Sequence, residues 1–470
     1  MNSHRRNITL SITLVSLALV LAACGGGTNS STPSSSSSAP TLSTTVQVGL
    51  GDSPADWLTT FGMTVNSIML TNSNGSTVSM LPAPTQMEMI RLMGTVQPVS
   101  IMQVPQGTYT GATISISSIQ MGYMDPATHQ YVQKTMAGPF TGTVNFNPAM
   151  SVGSTPMSLN FDMNMGSSVS ISNGNVTITP TFTGMMNSLG TGQNPWQGYM
   201  QHMVGSVSSV SGSQFTMNML MGMQSATFHT NSNTQFSGMS GMGMMSNGVI
   251  VSVDGITQAD GSLLAQHVEY KWNNGGMMGG GIVTGITGNP PTQLNIVAHN
   301  GIGGGMMMSA IAGNITVNVS SSTPYSADSD NVDLANLPFT PTFDSSSIAK
   351  GQKIDVVSGG NMMSGGGMMG GGSSFGTINA SQVELEQQGL FGTASNYTAN
   401  GSQASFTLTL PADSAFTTLT GVSSITVYKQ NETQMHNLPA IANGNQVQVR
   451  GLLFYDSGAY KLVSTWIVGS

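Results

Sequence analysis

The chain has 470 residues, enough for about three or four domains, yet only 6% of them are charged, against roughly 25% in an ordinary soluble protein. Ten basic residues face 18 acidic ones for a net charge of −8, so no basic surface is available to track a phosphate backbone, and nucleic acid is not expected as a partner. A single cysteine, Cys24, excludes an internal disulfide and a thiolate metal cluster.

Residues 1–7 are polar and carry Arg5 and Arg6, and residues 8–21 are mostly apolar. That run is shorter than the roughly 20 residues of a membrane-spanning helix, and the layout is that of an export signal. It ends in Leu21-Ala22-Ala23-Cys24, which resembles the lipobox of bacterial lipoproteins. The resemblance implies a signal peptide over residues 1–23, acylation of Cys24, and a membrane partner through the lipid. Arg5-Arg6 suits twin-arginine export, but the Sec route is the expectation. Gly25 rather than Asp follows the cysteine, which by the same resemblance favours the outer membrane and leaves the face open. Residues 24–44 form the anchor and a linker of Gly, Ser, Thr, Asn, Ala and Pro. Such a composition offers too little apolar surface to offset ordering entropy and predicts a tether of ~25 Å.

Beyond residue 44 helical periodicity is nearly absent. Short alternating runs between Gly, Asn and Pro predict an all-β protein. Examples are Val46-Gln47-Val48, Thr113-Ile114-Ser115-Ile116, Val176-Thr177-Ile178-Thr179, and the run from Phe215 to Met221, where Phe215, Met217, Met219 and Met221 share one face.

A first β domain is assigned to residues 45–198. It carries Val46-x-Val48, Asp52-Ser53-Pro54-Ala55-Asp56-x-Leu58, Val65-x-Ser67-Ile68-x-Leu70, the turn Asn74-Gly75, Met89-x-Arg91-Leu92 and Val104-Pro105-Gln106-Gly107-Thr108-Tyr109. These blocks resemble domain of unknown function (DUF) 4382, a family of secreted bacterial proteins without assigned activity. By fold-level analogy the domain is a prealbumin-like or carbohydrate-binding-like β-sandwich. Pro105 and Gly107 predict a turn that delivers Tyr109 to the core. Asp52 and Asp56 are oxygen donors of the kind Ca²⁺ takes, but two acids around Pro54 are better read as bonding their own turn.

Three ordered copies of one pattern follow, over residues 203–272, 281–388 and 389–470. Each opens on a glycine (Gly205, Gly281, Gly392) and passes a threonine (Thr234, Thr323, Thr433). Each then enters a Gly-x-x-[Val/Ile]-x-Val strand that begins at Gly248, Gly351 or Gly444 and ends on a glycine. The pattern resembles DUF 5666, again extracytoplasmic and unassigned. Each copy is expected to be a small five-stranded antiparallel barrel or sandwich, similar in size to OB-like barrels.

The chain holds 37 methionines, many in Gly-rich runs that fall between expected strands and so read as loops. If each repeat were an up-and-down meander, Met277, Met278, Met306, Met307, Met308, Met362, Met363, Met368 and Met369 would gather at one pole. Thioethers there would suit Cu(I) or Ag(I). The competing readings are flexible loop filler and sacrificial oxidation. His229, His267 and His299 stand alone in sequence and read as surface or strand residues.

No Gly-x-Ser-x-Gly or His-Glu-x-x-His motif is present. Glu269, Glu384 and Glu386 fall near closing strands, where exposed polar residues are expected. With only Trp57, Trp196, Trp272 and Trp466, each tryptophan reads as a core plug or clasp rather than a glycan platform. The expectation is therefore a non-enzymatic, lipid-anchored envelope protein with a binding or structural role, no cofactor and a protein or polysaccharide partner. Polysaccharide binding and Cu(I)/Ag(I) binding are the alternatives.

Overall fold

The structure is a computed structural model. It describes residues 42–469 apart from 54, 126, 173, 220, 273–276, 304–305, 309–312, 330–331, 359–373 and 402. Cys24 and residues 1–23, assigned from sequence to an export signal, lie outside the described residues, as do Met362, Met363, Met368 and Met369. Nearly every element is a strand, in agreement with the all-β expectation.

The chain first builds two facing sheets. One has Ser43–Ser53 at its centre, parallel to Met157–Asn164 and antiparallel to Val96–Pro105, with Phe182–Ser188 at the edge. The other runs Thr77–Ser79, Leu58–Asn72, Gly107–Met124, Tyr131–Val152, with Thr85–Glu88 also on Leu58–Asn72. Alternation works as the sequence predicts: Val46, Val48, Ile114 and Ile116 are fully buried between the sheets. Tyr109 is fully buried, and its hydroxyl donates to the Pro105 carbonyl at 2.8 Å, which fixes the predicted turn. Gln47 points the other way and is buried too, because that face of the sheet is covered. Its side-chain oxygen accepts from the Thr257 hydroxyl of the next module.

That next module uses Tyr199–Ser211, Gln214–Met219, Ser225–His229, Ile250–Thr257 and Leu263–Trp272. The first strand pairs the second and the fourth, the second pairs the third, and the third pairs the fifth in parallel. The fifth then pairs the fourth and closes the circuit. The last module, Gln387–Asn400, Gln403–Thr409, Ser424–His436, Gln446–Asp456 and Ala459–Gly469, is a closed barrel in the same order 1-2-3-5-4. The middle module follows it with Met277–Gly288, Pro291–Gly303, Gly313–Asn318 and Lys353–Ser358, its fifth strand split into Ser374–Asn379 and Gln382–Leu385. The first piece lies parallel to the third strand and the second antiparallel to the fourth. This is the connectivity of a Greek-key barrel of the OB type, not the up-and-down meander on which the gathering of methionine loops depended.

The repeated residues have physical reasons. A Cβ on Gly205, Gly281 or Gly392 would run into the carbonyl oxygen of Asn218, Val297 or Thr409 on the second strand. Only glycine lets the first strand coil that tightly against its neighbour. Gly248, Gly351 and Gly444 all have φ between 85° and 89°, the left-handed turn into the fourth strand. At each repeat threonine the hydroxyl accepts from the backbone N–H three residues earlier: Asn231 to Thr234 at 3.0 Å, Ser320 to Thr323 at 2.9 Å, Gln430 to Thr433 at 2.8 Å.

The methionine runs differ from the expected loops. Met277 and Met278 open a strand, and Met306–Met308 is itself a short strand on the edge of Pro291–Gly303. Met239 and Met245 are buried in the core of the first barrel. Long unbranched thioethers fill the irregular space that small, Gly-rich strands leave open.

Candidate functional site

Residues such as Asp260, Lys350 and Glu432 are exposed, but seven carboxyl groups, four cations and two histidines meet where the four modules touch. The sandwich brings Glu88, at the end of Thr85–Glu88, and Arg91, on the short turn Ile90–Leu92. The first barrel adds His202, Asp254, Glu269 and Lys271, and the last adds Arg450. The middle barrel adds His299, Asp328, Lys353, Asp355, Glu384 and Glu386. Glu88, Asp254, Asp328, Asp355 and Glu386 are all buried, as are His299 and Arg450.

Lys271 lies at the acidic side of the junction. Its Nζ is 2.8 Å from Glu269 Oε2 and 3.0 Å from Glu384 Oε2. Burial alone would lower this amine, but the carboxylates around it, Glu386 and Asp328 foremost, carry it well above its ordinary value. Burial pushes Glu269 up to about 8 against the pull of Lys271. The cations on the other side are held by carbonyl oxygens. Arg450 donates to the Arg91 carbonyl at 2.8 Å, Arg91 donates to Gln97 Oε1 at 2.7 Å, and Lys353 Nζ donates to the Gln387 carbonyl at 3.2 Å. Burial brings Arg91 down to about 10. Burial likewise raises Asp355 and Glu386, and their mutual repulsion adds to the Asp355 shift.

Glu88 shows the opposite balance. Burial would raise it, but His299, with Nδ1 3.6 Å from Oε2, and the N–H groups of Phe61 and Arg91 hold it below its ordinary value. His202 sits on a bulge of the first barrel's opening strand, with φ of +53°. Its N–H donates to Asp254 Oδ1 at 2.6 Å, and Tyr199 donates to Asp254 Oδ2 at 3.0 Å, so the bulge is pinned from below. Burial pushes the imidazole down to about 3, so it stands neutral. A cavity of about 30 Å³ opens between His202, Asp355, Glu386, Arg91, Lys353 and Arg450. A second, of about 70 Å³, lies beside Asp56, His299 and Phe416.

Several residues stand elsewhere than the sequence suggested. Glu269, Glu384 and Glu386 are not exposed strand residues: their side chains are 16%, 13% and 3% exposed, because the closing strands face a neighbouring module rather than water. Asp52 and Asp56 do not bond the turn around Pro54. Both Asp52 oxygens are buried without a hydrogen bond, and burial with Asp162 nearby raises that carboxyl well above its usual range. Asp56 lies near Asp413 and reaches the backbone of Phe391 in the last barrel. His229 is exposed, His267 faces the Ser237 hydroxyl at 2.7 Å, and His299 is a buried strand residue at the junction. Trp272 and Trp466 are buried, while Trp57 and Trp196 are half-buried. Of the nine methionines, Met278 packs with Val204, Ile250 and Trp272. Strand register sets Met278 and Met307 on either side of Ile302, and Met277 and Met306 on either side of Gly303.

The junction was missed in sequence because its members lie far apart in the chain. One signal was available: the valine-rich fourth strand of every barrel carries a charge, namely Asp254, then Lys353 and Asp355, then Arg450. The family DUF5666, a domain of unknown function, matches residues 204–269, which is most of the first barrel. No curated protein matches the chain.

Two stability effects follow. Lys271→Met leaves the half-buried Glu269 and Glu384 without their cation and is expected to destabilise the fold by less than the ~3–5 kcal/mol of breaking a fully buried pair, read by urea unfolding. Asp56, buried with one oxygen unbonded, is pushed by burial from 3.8 up to about 8. Between those values the unfolded chain gives up a proton that the folded chain keeps, so folding weakens as pH rises through that window and levels off above it. Asp56→Asn removes this component, and its gain in melting temperature over the wild type is expected to grow from pH 4 to pH 8. An equal difference at both pH values would contradict the assignment.

Proposed function

We propose that the protein is a non-enzymatic lipoprotein of the bacterial cell envelope, anchored through Cys24 at the outer membrane, with a binding or structural role. On this reading its sandwich is a DUF 4382-like module and its barrels are three DUF 5666-like repeats. The observation that carries the reading is the ionic junction: four modules contribute to one buried centre, which suits a single rigid body held on a tether better than independent modules. The buried and half-buried tryptophans favour a structural or protein-binding role over polysaccharide binding, which uses exposed aromatic faces.

A second reading, Cu(I) or Ag(I) binding by thioethers, is favoured by the register that sets Met277 and Met278 level with Met306 and Met307 on the two strands flanking Pro291–Gly303.

The anchor is tested by mass spectrometry of the mature N-terminus. An acylated Cys24 as first residue is expected, and Cys24→Ser should remain uncleaved and unlabelled by a palmitate analogue. A mature chain starting elsewhere would sink the lipoprotein reading. For copper, anaerobic Cu(I) titration against a chromophoric chelator should show uptake that is lost when the nine methionines become Leu. Equal behaviour of the two proteins removes this second reading.

A further inference from the structure

We propose that His202, Asp355 and Glu386 form a binding site for one divalent transition-metal ion, Zn²⁺ in the first instance, at the junction of the first and middle barrels. One ligand atom from each lies within 4.8 Å of those of the other two. His202 Nε2 and Glu386 Oε2 are 3.5 Å apart, close to the roughly 3.4 Å between two ligands on a tetrahedral ion with bonds of about 2.1 Å. Asp355 supplies the third ligand atom, within 4.8 Å of the other two. The adjoining cavity of about 30 Å³ has room for a water in the fourth position.

Three further observations point to a cation there. The first is the orientation of the imidazole. Its Nδ1 faces the Ser252 hydroxyl at 3.2 Å and Asp328 Oδ2 at 3.6 Å. In the tautomer with its proton on Nδ1, the neutral ring presents the Nε2 lone pair to Glu386. At 3.5 Å the two atoms are too far apart for a good hydrogen bond, and the space between them suits an ion. A carboxylate behind the far nitrogen is the usual support of a metal-bound histidine.

The second observation is Glu386 itself. It is 3% exposed, and its Oε1 accepts no hydrogen bond. The nearest cation, Lys271 Nζ, is 3.9 Å away and is engaged by Glu269 and Glu384. The third is charge. Glu88, Asp254, Glu269, Asp328, Asp355, Glu384 and Glu386 outnumber Arg91, Lys271, Lys353 and Arg450 at the junction. Asp355 and Glu386 repel one another, and a divalent ion bound to both would relieve that repulsion. The cations bordering the cavity are directed elsewhere, into the carbonyls of Arg91 and Gln387 and the side chain of Gln97. One imidazole and two carboxylates, with no thiolate or thioether, select Zn²⁺ or its harder neighbours rather than Cu(I). The site is thus distinct from any methionine site.

The test uses the full chain, stripped with a chelator and titrated with Zn²⁺ against a chromophoric competitor. One equivalent is expected to bind and to raise the melting temperature. Co²⁺ in its place should give visible d–d bands without a sulfur charge-transfer band. His202→Gln and Glu386→Gln, checked for native circular dichroism, should lose that equivalent. Asp328→Asn, which leaves all three ligands in place, should weaken affinity 10–100-fold. No uptake of Zn²⁺ or Co²⁺ by the wild type overturns the proposal whatever the variants do. So does an equivalent that survives both ligand variants, or one that is lost when Met278 and Met307 become Leu.

Discussion

The structure depends on burying charge at one point. Moving a carboxylate or an ammonium out of water costs several kcal/mol per ion, offset only when opposite charges and hydrogen-bond partners are placed close by. Lys271 between Glu269 and Glu384, and Arg450 on the Arg91 carbonyl, meet that condition only when the modules are in contact. A module that swung away would expose one side of each pair and leave the other buried and unpaired. Such networks add little net stability and are better regarded as devices that fix relative placement.

Around this centre the modules are economical in different ways. The barrels coil tightly because glycines at fixed places allow the backbones to approach, and a threonine hydroxyl ties the chain at or just after each third strand. The first barrel's core uses methionine freely: Met200, Met203, Met217 and Met219 fill it beside Phe215 and Phe228, whereas the buried cores of the other two are Val, Leu, Ile, Ala and aromatic residues. A flexible thioether adapts to a strongly coiled sheet where branched side chains would clash. The sandwich core likewise mixes methionines, Met63, Met87, Met121 and Met163 among them, with alternating Val, Ile and Leu, and has Tyr109 as a large plug.

Contact between modules also explains why polar residues are buried on faces that isolated modules would expose. Gln47 meets Thr257, and Gln97 meets Met203 and Met221. These contacts cross the module boundaries at fixed register positions, so the boundaries are specific in register.

The sequence by itself determined the all-β class and the places where glycine is required, because side-chain alternation and positive φ are local constraints that nearby residues satisfy. It also identified Tyr109 and the Phe215–Met219 face as core. It did not reveal that Glu386 faces His202, that Asp52 and Asp56 leave their own turn, or that Met278 is packed against Trp272. Those outcomes depend on which sheet face another module covers, and a strand's period of two is the same whether its second face meets water or protein. Only the tertiary structure, by closing the barrels in the order 1-2-3-5-4 and joining them to the sandwich, decided which of the few charges would be buried together.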